Sequence, residues 1–271
     1  SGFTFGANMA DTQMALEQTV NIRDIRVEAG GTVDICGNAN NLTSKAETGA
    51  NGGVGIKIVG NKVNSANANV SAVNQVILDR ANLAASFALQ VMANSNNLTV
   101  NAIAKALTFE LTGINVAVTT TEAKVTRFNT GVFVYNTNVI GSNVEFASTA
   151  NGSKVVAQSS VPLLSGSVIG VDNILASAKI LEKLTQVIVN AGIIQSTAAD
   201  VILKADADAV LKADSARPAS SFGAISVKDY QFNIDVNKIL TEVIFDGQID
   251  AARDAKLDAY DKISADIYMD D

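Results

Sequence analysis

The run from Val171 to Asp214 constrains the fold of this chain most. It is the longest stretch in which apolar residues recur at helical spacing. Ile174, Ala178, Leu181, Leu184, Ile188 and Ala191 form one stripe, and Leu175, Ile180, Val187 and Ile194 widen it. Asp172 stands where an N-cap is needed, and Gly192 where a helix closes. Thr197 and Asp200 then take the spacing of a capping box. Behind them comes a local echo, Ile-Leu-Lys-Ala-Asp at 202–206 and Val-Leu-Lys-Ala-Asp at 210–214. The pattern predicts a helical hairpin over 171–214.

Other segments divide between two periods. Val73, Val76, Ile77, Leu83, Phe87 and Val91 predict a helix over 71–93, with Ser71 as its cap. Ile249, Ala252, Leu257, Tyr260 and Ile263 predict a C-terminal helix. Thr19 to Cys36 alternates around Gly30-Gly31, as a hairpin does. From Ile114 to Val156, short Val- and Thr-rich runs are divided by Gly131, Gly141 and Gly152. Residues 222–236 alternate and predict a strand. No strict repeat period emerges, so the β-rich part is expected to be a sandwich.

The fold expected is therefore α+β. A Val/Thr-rich antiparallel β sandwich-like region would be packed against the helical hairpin and the further helices. Composition shifts near Gly152. Residues 1–151 hold 22 of the 26 Asn, and residues 152–271 hold 15 of the 19 Asp. This suggests an Asn/Gly-rich, mainly β part over 1–151 and an acidic part over 152–271, as two domains or one continuous one.

Composition also excludes chemistry. The chain has no His, which removes the commonest general base and metal ligand. Its one cysteine, Cys36, can form no internal disulfide and no Cys-rich zinc site. The formal net charge of −7 argues against nucleic acid, which recruits clustered Lys and Arg. No apolar run reaches the ~18 residues of a membrane helix. Neither a catalytic residue nor a cofactor site is predicted, and acidic pairs such as Glu242 and Asp246 read as surface charge.

Three sets of residues stand as candidates. On a helix, Asp250, Asp254, Asp258 and Asp261 would share a face, and Asp206, Asp208 and Asp214 form a second acidic group. Both read as solvated charge, with interchain calcium as the functional alternative. Sequons for glycosylation occur at Asn41, Asn69, Asn97 and Asn151, about the number expected by chance. Phe3, Phe5, Met9 and Met14 mark an N-terminal arm that could add a strand to a neighbour.

In composition alone the chain is similar to bacterial and archaeal flagellins and surface-layer proteins, without a motif of either family. It begins at Ser1, and a mature protein freed of its signal peptide is expected. The expected role is non-enzymatic: a secreted structural subunit that polymerises with copies of itself into an extracellular filament, sheath or surface lattice. A viral coat protein and an adhesive or carbohydrate-active β-rich module are the alternatives.

Overall fold

The structure, a computed structural model, describes residues 3–49, 55–105, 109–160, 164–215, 220–222 and 224–269. Among them there is no helix. The chain winds through five turns of a parallel β-solenoid. The first turn holds β1 (Phe3–Arg23), β2 (Arg26–Ala29), β3 (Val33–Asn38) and β4 (Thr43–Gly49). The second holds β5 (Gly55–Asp79), β6 (Asn82–Ala85), β7 (Ala88–Asn94) and β8 (Thr99–Lys105). The third holds β9 (Phe109–Tyr135), β10 (Asn138–Gly141) and β11 (Asn143–Ser160). The fourth holds β12 (Leu164–Ile180), β13 (Lys183–Ser196) and β14 (Val201–Ser215). The fifth holds β15 (Ser220–Phe222), β16 (Ile225–Val236), β17 (Ile239–Ala251) and β18 (Ala255–Met269).

Each turn runs out along one sheet and back along the other. The 11-stranded sheet contains the β1-β5-β9-β13-β10-β6-β2 path, with β12, β15, β16 and β17 attached to it. The 7-stranded sheet carries β18-β14-β11-β7-β3, together with β4 and β8. Partners lie one turn apart in sequence: 56 residues for Phe3↔Val59, 57 for Val144↔Val201 and 54 for Val201↔Ala255. At ~3.3 Å per residue the 25 residues of β5 trace roughly 80 Å, far beyond an ordinary strand. The turns are therefore long and flat.

The expected α+β class is thus overturned, and so is the antiparallel sandwich: two sheets do face each other, but every ladder in them is parallel. The helical hairpin of 171–214 is β12, β13 and β14, the helix of 71–93 is the end of β5 with β6 and β7, and the C-terminal helix is β17 and β18. The physical reason lies in the spacing. Residues four apart share a face on a helix and on a strand alike, because four is even. In the supposed stripe, Ile174 and Ala178 do point inward. Leu181 lies between strands, Leu184 and Ile188 point outward, and Ala191 sits in a left-handed bulge at φ 54°. The strict alternation of Val201, Leu203, Ala205, Ala207, Ala209, Leu211 and Ala213, all buried, is what fixes β14 as a strand. Residues 225–236 are the strand expected within 222–236.

Inward residues stack on their equivalents in the next turn. Val20, Val76, Val132, Val187 and Val243 form one column, and Val27, Leu83, Val139, Ile194 and Ile249 another. Alanine dominates elsewhere, as at Ala10, Ala66 and Ala176 on opposite sides of Thr121. Small side chains let the two sheets lie close, which accounts for a large core with few aromatics. Left-handed corners repeat at the same interval. Asp24, Arg80 and Asn136 lie 56 apart, with Ala191 next, and Asn41, Asn97 and Gly152 form a second series.

Candidate assembly interface

Both ends of the stack are open among the described residues. In the first turn, β1 pairs with β5 on one side only, and β3 and β4 likewise pair with β7 and β8 alone. In the fifth turn, β16, β17 and β18 pair only with β12, β13 and β14. Each open row presents the unpaired N–H and C=O groups of a sheet edge. Inward-facing residues that are sealed in the middle turns are exposed here. Leu203 is fully buried, whereas its partner Leu257 is 51% exposed; Ile263 and Ile267 on the same strand are similarly open. At the other end Met14, Leu16, Val20 and Ile22 are only half-buried against the core.

Natural edges are usually blunted by short strands, lysine or proline. β1 has none of these devices. It is 21 residues long, contains no Lys and no Pro, and its charges are Asp11, Glu17 and Arg23. Of the arm residues expected from sequence, Phe5 and Met9 lie on the outer face of β1 and are 74% and 73% exposed. Met14 faces inward against the core. The side chain of Phe3 lies outside the described ones.

Three of the four sequons fall at one corner. Asn41, Asn97 and Asn151 follow one another turn by turn. The Asn97 amide donates to Asn41 Oδ1 at 3.0 Å, and the Asn97 backbone N–H donates to the Asn151 carbonyl at 2.8 Å. Asn96 N–H donates to Asn40 Oδ1 at 2.8 Å, and Asn151 N–H to Asn96 Oδ1 at 3.0 Å. This asparagine ladder ties the corner of the first turn to the second and of the second to the third. Asn69 instead lies within β5 and accepts from Thr126 Oγ1 at 2.6 Å. The ladder has a sequence signature that periodicity counting missed. Asn-Ala-Asn-Asn-Leu-Thr at 38–43 returns as Asn-Ser-Asn-Asn-Leu-Thr at 94–99, one turn later.

The acidic groups separate. Asp250 and Asp258 point outward from β17 and β18, Asp254 lies between those strands, and Asp261 points inward. Asp206 pairs with Lys204 at 3.0 Å, and Asp208 Oδ1 accepts from the backbone N–H of Gly152 and Ser153. No group of three or more potential metal ligands occurs among the described residues. Cys36 is a half-exposed free thiol on the outer face of β3. Glu47 lies between Lys45 at 2.7 Å and Lys105 at 3.0 Å, and these ammonium groups hold its carboxyl down to about 2.

Lys183 is the least expected residue. It is 1% exposed, inside the stack, where its register partner is Phe128. Its ammonium donates to the carbonyls of Ala150 and Asp208 and to Ser153 Oγ, and lies 5.9 Å from the Phe128 ring centroid. Burial lowers its pKa to about 8, against the opposing pull of Asp261 and Asp208. These contacts gather at the bulge between Ala150 and Ser153, where β11 leaves the regular ladder. The lysine thus adds a donor to carbonyls buried between the sheets, one of which, that of Ala150, also accepts from Ser153 Oγ. Ser153 Oγ and the Lys183 ammonium lie 3.1 Å apart, and both residues are 1% exposed, so the pair is enclosed between the sheets.

No protein-family model, curated protein or solved structure matches this chain.

Proposed function

We propose that the chain is a structural subunit that self-assembles into an extracellular filament, sheath or surface lattice, without catalytic activity. What supports this reading is the pair of open ends. Among the described residues, each offers strands with a ladder partner on one side only and a half-covered apolar interior, and the two are related by the repeat of the fold. A contact between unlike ends leaves a free end of each kind, so it propagates instead of closing. The absence of His and the lone Cys in the sequence fit a chain selected for packing more than for chemistry.

Electron microscopy of the purified protein tests the reading. Filaments or sheets are expected at concentrations where isolated subunits meet. Particles that stay monomeric by sedimentation at high concentration would overturn it.

A further inference from the structure

The geometry points to a specific joint within that assembly: the fifth turn of one copy receives the first turn of a second copy, in continuation of the internal register. This inference rests on the self-assembly reading and deepens it.

The register supplies the alignment. The chain of partners Phe3, Val59, Ile114, Ile169 and Ile225 makes residue 3 the equivalent of residue 225. By the same tracing, Val20 is equivalent to Val243, Ile22 to Phe245, Val27 to Ile249 and Ile35 to Leu257. A copy laid on the fifth turn therefore extends the apolar columns with apolar residues. Its small residues also fall on large ones, Ala10 on Phe232 and Thr12 on Ile234.

Charge is complementary in the same alignment. Arg23 falls opposite Asp246, Asp34 opposite Lys256, and Lys45 opposite Asp266. One like pair, Glu28 with Asp250, opposes them. The first match continues a contact already present inside the subunit, where Arg23 meets its register partner Asp79 at 2.9 Å. The four strands of the first turn, 21, 4, 6 and 7 residues long, would contribute a ladder on the order of one backbone hydrogen bond per residue. With five turns per subunit and ~4.8 Å between strands, the axial rise is about 24 Å.

The native thiol makes the register testable with one substitution. Cys36 is equivalent to Asp258 through Met92, Ala147 and Lys204. In the proposed joint, Asp258→Cys brings two outward cysteines within the ~4.4–6.8 Å Cα separation that a disulfide requires. Mild oxidation of Asp258→Cys should give a ladder of covalent oligomers on a non-reducing gel. Adding Cys36→Ser should abolish it. Tyr260→Cys, two residues along the same face, should cross-link at least tenfold less. Filaments that form normally while Asp258→Cys fails to cross-link, or cross-links no better than Tyr260→Cys, would overturn this joint and leave self-assembly standing. Dimers that persist with Cys36→Ser would also overturn it, because they join like ends. Wild-type protein that forms no polymer would remove the self-assembly reading and the joint together.

Discussion

Gly152 shows how little freedom a corner of this fold leaves a single residue. Its φ is +74°, in the left-handed region, and a Cβ there would come 2.7 Å from Asn97 Oδ1. Gly152→Ala is expected to cost about 1–2 kcal/mol, read as a lower urea midpoint. Lys183 poses the opposite problem, a charge that the interior tolerates at a cost. Its pKa is about 8 in the folded chain and near 10.5 when unfolded. Between those values the unfolded state binds more protons, so folding stability rises with pH across that window. A single such group can contribute at most ~1.4 kcal/mol per pH unit. Urea titrations of wild type and Lys183→Met from pH 7.5 to 10.5 should therefore diverge, with wild type gaining relative to the variant. Parallel curves would show that the ammonium is not desolvated.

Among the elements, position within a column decides what a side chain contributes. Val132 is fully buried between Val76 and Val187, whereas Val20 begins the same column and is only half-covered. Val132→Ala should lower stability by roughly 2–3 kcal/mol through lost burial and a residual cavity, and Val20→Ala by less than about 1 kcal/mol in the isolated subunit. Chemical denaturation below the concentration of assembly checks both. The same elements show why the fold was only partly legible. Strand 225–236 declared itself because its alternation slips only once, near Asp229. β12 and β13 did not, because Leu181 lies between strands and Ala191 bulges, and the resulting slips imitate a period near 3.6. Asp250 to Asp261 misled for a simpler reason: Asp258 and Asp261 are three residues apart, a step that keeps to one face of a helix but crosses to the other face of a strand. The five-valine column was written in the chain at intervals near 56 residues. No local window spans that distance, so a reading built on neighbours could not see it. The open ends were invisible for a further reason: an edge is a property of what a strand lacks beside it.

In the whole molecule, the backbone ladders join residues about one turn apart in sequence. Each turn must therefore close a loop of more than fifty residues before its ladder forms, which places this fold among topologies whose folding is slow. A completed turn offers the next one a finished template, and in the proposed assembly the fifth turn would offer the same template to another subunit. On this view growth of the chain and growth of a polymer are one process. In that assembly the stabilisation missing at Val20 in the isolated subunit would be restored by Val243 of a neighbour lying against it.

The direction of the ladders has a mechanical consequence. Hydrogen bonds between parallel strands run along the stack, across the long axis of each turn. Tension along the stack is then shared by a whole turn of bonds at once, and no single bond carries the load. A pull applied at one corner instead opens them one after another. A fibre built this way resists stretching far better than peeling, and its weak point is a corner. The asparagine ladder at 41, 97 and 151 reinforces one of those corners, where tearing would begin.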